Sequence, residues 1–152
     1  MHLTEVSDGP TARDFLQVPK ILYRDDPVWV CPFDKEIDSI FDPASNVYFQ
    51  HGEACRWILR DDKNSLIGRV AAFIDHHSAG GHEQPTGGMG FFECIHDQNA
   101  ANMLFDSARD WLKERGMEAM DGPVNFGETD KYWGLLVDGF THPSYEIAYN
   151  FP

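Results

Sequence analysis

Long apolar runs are missing from the sequence, and no segment reaches the roughly 20 consecutive apolar residues of a membrane-spanning helix. The first residues also lack the basic and apolar regions of a secretory signal peptide. We therefore expect a cytoplasmic protein that does not bind membranes. Hydrophobic residues still make up 42% of the chain and aromatic residues 13%, which favours a folded core over disorder. The 152 residues fit a single domain, residues 1–152.

Cysteine and positive charge are both scarce. The three cysteines, Cys31, Cys55 and Cys94, are widely spaced without a CxxC pair, which favours buried thiols over a disulfide or zinc site. Lys and Arg number 12 against 25 Asp and Glu, for a net charge of −13. Because phosphate binding needs clustered cations, nucleic acid and anionic membranes are not expected partners. The acidity has two explanations, solubility and attraction of a cationic substrate such as an amine.

The hydrophobic pattern predicts strands and helices in alternation. In the first half it predicts a strand over 2–6, a helix starting near 11, a short helix over 34–41, and a hairpin of strands 53–60 and 66–74. Pro19 is expected to kink or shorten the first helix. In the second half it predicts a polar, glycine-rich loop over 75–88, a strand over 89–95, a helix from an Asp97 N-cap to a Gly116 C-cap, a strand over 117–124, a helix from 129 or 130 to 138, and a strand over 145–151. This order implies an α/β (α+β) fold, with a mixed central sheet and helices on both faces.

Five segments carry a resemblance to a known family. They are residues 23–30 (YRDDPVWV), 90–94 (GFFEC), 122–126 (GPVNF), 134–140 (GLLVDGF) and 149–150 (YN). With these segments and this order of elements, the chain resembles a group of bacterial GNAT-like N-acetyltransferases. The resemblance implies a GNAT fold and transfer of an acyl group from acetyl-CoA, or another acyl-CoA, to an amine. Members of that group are longer, so we expect either a natural short version or a chain truncated at its C-terminus.

The resemblance assigns the acyl-CoA pyrophosphate to the start of the helix after Asp97. By that resemblance, the main-chain N–H groups of Asn99, Ala100 and Ala101 would meet the pyrophosphate at a helix N-terminus. Asn99 stands where the family has its first glycine, and His96 stands where it has arginine or glutamine. The Asp97 carboxylate competes for the same N–H groups. An ordinary capped helix is therefore the alternative interpretation.

The resemblance also indicates catalytic residues. Glu93 lies within an apolar strand, where partial burial would raise its pKa and suit a general base for the amine; the alternative is an exposed side chain at a strand end. The family's helix tyrosine, which protonates the leaving thiolate, is replaced by Leu135. Tyr132 and Tyr149 are the substitutes, unless both are merely packed.

Three further residues would contact the pantetheine arm. By the resemblance, main-chain groups of Phe92 and Cys94 align the arm, and Asn125 donates or accepts a hydrogen bond with a ligand amide. A turn asparagine bonded to its own backbone is the alternative for Asn125.

Two functions from different classes follow from these residues. The first is an acyl-CoA-dependent N-acyltransferase for an unknown amine. The second is a catalytically degenerate GNAT-fold binding or assembly module. Homo-oligomer formation is open in both.

A histidine-rich loop is the remaining motif. It contains Asp75, His76 and His77, and then His82 and Glu83 after two glycines. The spacing matches no established zinc pattern, so we expect a solvated loop and no metal.

Overall fold

The computed structural model of the protein describes residues 1–81, 83–127 and 134–143. Its strands are β1 (His2–Glu5), β2 (Gly52–Arg60), β3 (Leu66–Asp75), β4 (Thr86–Cys94) and β5 (Ala119–Asp121). Its helices are α1 (Gly9–Leu22), α2 (Asp34–Ile40), α3 (His76–Ala79) and α4 (Gln98–Glu114), with a 3₁₀ turn at Val47–Gln50. Within these ranges no helix is both long enough and apolar enough to cross a membrane.

The five strands form one mixed sheet in the order β1-β2-β3-β4-β5. Neighbours pair antiparallel from β1 to β4, whereas β5 pairs parallel with β4. The β2–β3 turn closes because Asp61 Oδ1 accepts hydrogen bonds from the N–H groups of Lys63 (2.9 Å) and Ser65 (2.8 Å). Asn64 in the same turn adopts a φ of 66°, which asparagine tolerates. The predicted hairpin and the predicted mixed sheet are confirmed.

Helices cover both faces of the sheet, as predicted. On one face, Leu104 and Leu112 of α4 share a core cluster with Trp57 and Leu59 of β2. On the other face, the residues of the second cluster come from α1, the sheet and the segment after β5: Phe15, Val18, Ile58, Ala71, Phe73 and Phe126. Alternation along β2 sends successive side chains to opposite faces, so this one strand serves both clusters.

Helix α1 begins earlier than predicted and continues past Pro19. Asp8 is its N-cap: Oδ1 accepts from the N–H of Thr11 at 2.8 Å, and the Thr11 hydroxyl accepts from the N–H of Asp8 at 3.2 Å. Pro19 has no N–H for the carbonyl of Phe15 one turn earlier. That carbonyl instead accepts a hydrogen bond from Nη1 of Arg69 at 2.9 Å. The helix therefore continues past the proline to Leu22, because β3 supplies the missing donor.

The glycine-rich stretch over 75–88 is more ordered than predicted. Helix α3 follows β3 directly, and β4 begins before the predicted residue. A Cβ on Gly87 would lie 2.4 Å from Cδ2 of Leu112, and one on Gly88 would lie 2.5 Å from Cε2 of Phe73. The glycines therefore allow α4 and an aromatic ring to pack against a strand, so the prediction of a loop throughout is wrong.

The helix predicted after β5 is absent from its described part, residues 134–138. Gly134 and Gly139 have φ values of 91° and 88°, in the left-handed region that a right-handed helix cannot include. The predicted first residues of that helix, and the predicted final strand, lie outside the described residues.

Candidate functional site

A β-bulge in β4 marks the site. Ala71 pairs with Gly90, and Arg69 pairs with Glu93, so β4 carries one more residue than β3 over this stretch. Phe91, in the bulge, has a φ of 53°, which a bulky side chain rarely adopts. A bulge bends a strand and redirects its side chains, and bulges are frequent next to active sites.

Glu93 lies on the face covered by α1 and pairs with Arg69. Nε of Arg69 donates to Oε2 of Glu93 at 2.5 Å, and the two side chains are 4% and 9% exposed. Nη1 of the same guanidinium holds the carbonyl of Phe15 in α1. The alternative of an exposed Glu93 is therefore wrong, because the strand register places this carboxylate beneath a helix.

A second arginine lies in the same layer. The Arg56 guanidinium stands 4.3 Å from the ring centroid of Phe41 and 5.3 Å from that of Phe15, in cation–π geometry. Burial lowers the pKa of Arg56, and the nearby Asp38 opposes that shift. Its Nη1 is buried with no hydrogen-bond partner among the described residues. The layer beneath α1 therefore contains two guanidinium groups and the Glu93 carboxylate.

Tyr23, directly after α1, adds a phenol to this group. Its pKa is raised first by burial and then by the negative charge of Glu93, while Arg69 opposes the shift. The phenol therefore keeps its proton at neutral pH. Sequence reasoning did not select Tyr23 or Arg69 for the site. Arg69 had a visible signal, because it is the one charged residue in the apolar run 66–74.

The edge of β4 that faces β5 is only partly paired. The parallel pairing ends at Gly88 and Asp121, and the N–H of Val124 donates to the carbonyl of Met89 at 2.9 Å. At Gly90 a Cβ would lie 2.0 Å from the carbonyl oxygen of Val124, so only glycine allows this approach. Beyond that point, no strand in the described part of the chain pairs with this edge. The main chain at the bulged end of β4 is therefore without a strand neighbour on this side among the described strands.

Phe92 and Cys94, at this end of β4, pack on the α4 side of the sheet. The Phe92 ring stacks on Phe105 of α4, with centroids 4.3 Å apart. Cys94 is half-buried, and its pKa is raised by burial and then by the charge of Asp97. The contact of the main-chain groups of Phe92 and Cys94 with pantetheine stays a prediction.

The N-terminus of α4 fits an anion only in part. Asp97 is the N-cap, as predicted, and its Oδ1 accepts from the N–H of Ala100 at 2.9 Å. The N–H of Ala101 donates to the carbonyl of Asp97 at 3.0 Å. Of the three predicted pyrophosphate donors, Asn99 alone keeps an N–H without a partner among the described residues. The capped-helix alternative therefore describes the observed geometry.

The remaining predicted site residues are Asn125, Tyr132 and Tyr149. Oδ1 of Asn125 accepts from the N–H of Phe126 at 2.9 Å, which is the local turn bond of the alternative interpretation. Tyr132 and Tyr149 lie outside the described residues, as does His82.

The fold is that of the GNAT acetyltransferases. A predicted acetyltransferase of Clostridium acetobutylicum, solved with acetyl-CoA, superposes with a TM-score of 0.56 at 17% identity, over 82% of this chain and 80% of that one. AAC(6')-Iy, solved with the bisubstrate analogue CoA-S-monomethyl-acetylneamine, gives 0.55 at 16% identity, over 81% and 80%. At these identities the likeness establishes the fold alone, and it confirms the predicted fold. No family model matches the chain.

Two curated relatives match this chain over most of its length. It is 33% identical to the bacterial ceramide synthase of Caulobacter vibrioides over 134 residues, and 30% identical to protein YghO of Escherichia coli over 129 residues. Both matches cover 85% of this chain, but 33% and 32% of the relatives. The chain therefore spans about a third of the length of these two proteins.

Proposed function

We propose that the chain belongs to an acyl-CoA-dependent N-acyltransferase that acylates an amine. The observation that carries the proposal is the bulged end of β4, where a buried ion pair adjoins a strand edge that no described strand pairs with. A main-chain edge can hold an extended amide-containing ligand, and a buried carboxylate beside it can accept a proton. The neighbours solved with acetyl-CoA and with a CoA analogue support the proposal through the shared fold.

The donor side would use main-chain groups. Bound acyl-CoA supplies an activated thioester, and the main chain at Phe92 and Cys94 would align its pantetheine arm along β4. The N–H of Asn99, which has no partner in the described part of the chain, and the positive end of the α4 dipole would face the pyrophosphate. Asp97 opposes this contact, because its carboxylate already holds the N–H of Ala100. The β4 edge therefore fits the arm better than the α4 N-terminus fits the pyrophosphate.

The acceptor side would use the layer beneath α1. Glu93 would take the proton that the amine nitrogen loses as it bonds to the acyl carbon. Arg69 positions that carboxylate through the 2.5 Å hydrogen bond. The protonated phenol of Tyr23 is a candidate to supply the proton that the departing sulfur needs, and Tyr132 and Tyr149 remain candidates for the same role.

A long-chain amine is the acceptor class that we propose. The name of the Caulobacter relative denotes formation of ceramide, which is an amide. In this chain a small cleft between α1 and α2 is lined by apolar Leu16 and Pro32 and by the charged side chains of Lys20, Asp34 and Arg69. Val30 and Phe33, beside that lining in sequence, are 52% and 76% exposed. Such surfaces favour a substrate with an apolar chain.

Turnover with matched variants tests the proposal. Acetyl-CoA and a long-chain acyl-CoA are offered with a long-chain amine, and amide formation is measured by mass spectrometry beside release of free thiol. Glu93→Asp keeps the negative charge opposite Arg69, but its shorter side chain moves the carboxylate away from the proposed amine position. Because a general base must lie within hydrogen-bond reach of the proton, we expect at least a tenfold loss of kcat. Glu114→Asp, whose parent carboxylate is 78% exposed in the last turn of α4, is the control. Equal activity of Glu93→Asp and wild type would remove Glu93 from the proposed chemistry.

A binding module without acyl transfer is the second candidate. The observation that favours it is the Asp97 cap together with Asn99 in place of glycine, which leaves little of the anion site. Calorimetric titration with CoA and acetyl-CoA separates the two candidates. Affinity in the micromolar range supports the transferase, whereas no heat of binding up to millimolar ligand supports the module.

A further inference from the structure

Three metal-capable side chains meet at the end of the β2–β3 hairpin, opposite its turn. His51 precedes β2, Asp75 is the last residue of β3, and His77 lies in α3. One ligand atom from each of the three lies within 4.8 Å of the other two. The sequence did not reveal this group, because His51 is 24 residues from Asp75 and enters only through strand pairing.

The backbone brings these residues together. Gly52 pairs with Asp75 in the sheet, and a Cβ on Gly52 would lie 2.3 Å from the carbonyl oxygen of Ile74. The carbonyl of His51 also accepts from the N–H of His76 at 2.9 Å. Main-chain contacts alone therefore hold the start of β2 next to the end of β3.

The side chains are already in contact. Nδ1 of His51 lies 2.7 Å from Oδ1 of Asp75, and the same oxygen accepts from the N–H of His77 at 3.0 Å. The His51 and His77 rings stack with centroids 4.1 Å apart and an interplanar angle of 11°. His51 and Asp75 are 24% and 23% exposed, whereas His77 is exposed. The group is therefore half-buried and open to solvent on one side.

We propose that His51, Asp75 and His77 form a binding site for a divalent transition-metal ion of the zinc class. Two imidazoles and one carboxylate suit zinc, nickel or cobalt, whereas magnesium and calcium prefer oxygen ligands alone. A tetrahedral zinc site needs neighbouring ligand atoms about 3.3 Å apart, as follows from bonds of about 2.0 Å. The exposed His77 ring can turn to close the remaining distance. The ion takes the place of the hydrogen atom between Nδ1 of His51 and Oδ1 of Asp75, and the neutral imidazole then carries its single ring proton on Nε2.

His76 provides a matched control next to the site. Its Nε2 lies 3.4 Å from Oε1 of Glu53, whose other oxygen accepts from Nε of Arg115 at 2.9 Å. His76 is therefore turned toward a different partner from its neighbour His77. The site is also separate from the proposed acyl-transfer site: Asp75 lies six residues from Arg69 along β3, about 20 Å away at the rise of a strand.

Calorimetric titration of the untagged protein with ZnCl₂ tests the proposal. We expect one equivalent of Zn²⁺ to bind in the micromolar range and to raise the thermal midpoint, and MgCl₂ to do neither. His77→Ala and Asp75→Asn should weaken Zn²⁺ binding at least about tenfold, and His76→Ala should leave it unchanged. In each variant, visible absorption of bound Co²⁺ reports the ligand geometry independently of stability.

Three results would overturn the proposal. They are no Zn²⁺ binding tighter than millimolar by the wild-type protein, wild-type affinity in His77→Ala, and an equal loss of affinity in His76→Ala. The last would place the ion in the wider histidine-rich loop. The His77 side chain is exposed, and its replacement by alanine leaves the strand pairing intact. Loss of the fold therefore does not confound the comparison.

Discussion

Replacing Asp97 by asparagine isolates the electrostatic obstacle to CoA at the start of α4. Asparagine caps a helix about as well as aspartate, so the hydrogen bond to the N–H of Ala100 can be kept. The substitution therefore removes one negative charge from the proposed pyrophosphate position without removing the cap. If the α4 N-terminus binds phosphate, Asp97→Asn should bind CoA more tightly than wild type.

The expected size follows from Coulomb's law. A carboxylate and one phosphate charge about 5 Å apart repel by about 0.8 kcal/mol in water and by about 3 kcal/mol at an effective dielectric constant of 20. Removal of this repulsion should tighten CoA binding, for each phosphate charge, about fourfold if the site has the dielectric constant of water. At an effective dielectric constant of 20, the affinity should rise more than about a hundredfold. Loss of a favourable contact between Asp97 and the helix dipole reduces thermal stability by about 0.5 kcal/mol.

Calorimetry with CoA at about 0.1 M salt measures this change, and a repeat at about 1 M salt should reduce it through screening. Asp106→Asn is the control, because it removes the same net charge from α4. It lies nine residues further along, about 13 Å at the rise of a helix and beyond the Debye length of about 8–10 Å. Equal tightening in both variants would attribute the effect to net charge, and no tightening in either would refute an anion site at this helix end.

Two further predictions concern thiols and close packing. Ellman's reagent should modify the exposed Cys31 first. Burial raises the pKa of Cys94 and raises that of Cys55 to about 12. Because a raised pKa leaves less of the reactive thiolate at neutral pH, both of these thiols should react slowly. Three fast equivalents in the native protein would contradict the buried positions. Gly90→Ala should lower the free energy of unfolding by more than about 2 kcal/mol, measured by urea denaturation, since its Cβ would meet the Val124 carbonyl oxygen at 2.0 Å. Gly80→Ala, whose Cβ would have its nearest contact at 3.9 Å, is the matched control and should change stability little.

Local signals in the sequence were sufficient for the hairpin and for α4. The spacing of Cys55, Trp57 and Leu59 on one face and the Asp61 turn indicate β2 and β3, while Asp97 and Gly116 indicate both ends of α4. Gly116 adopts a φ of 81°, which is the left-handed conformation of a helix C-terminus. These features depend on neighbours within a few residues, so the sequence reports them directly.

The site depended on contacts that the sequence does not display. Glu93 was chosen for its apolar surroundings, but its partner Arg69 is set by a bulge that shifts the register of β4. A slip of one residue would send that side chain to the other face. His51 likewise contacts Asp75 only because β2 pairs with β3. Such pairs can be recognised in a sequence as isolated charges in apolar strands, but their partners cannot be assigned before the register is known.

The Arg69–Glu93 pair raises the question of whether it serves stability or chemistry. Breaking a buried pair at one partner costs about 3–5 kcal/mol, whereas replacing both with apolar groups is often neutral or stabilising. Here Arg69 has a second role. Its Nη1 donates a hydrogen bond to the Phe15 carbonyl, which receives none from Pro19 because proline has no N–H. A double apolar variant, Arg69→Met with Glu93→Leu, would therefore leave that buried carbonyl unpaired, at about 1–3 kcal/mol.

Adding Pro19→Ala to the double variant should restore the lost stability, because the new N–H can donate to Phe15 within α1. We expect the triple variant to unfold at a urea concentration close to that of wild type and to show no amide formation with acyl-CoA and amine. Pro19→Ala alone is the control and should keep wild-type activity. A triple variant that retains turnover would mean that the pair is structural only. One that remains as unstable as the double variant would mean that Arg69 stabilises the fold through contacts other than the Phe15 carbonyl, such as its position over the Phe15 ring at 4.7 Å.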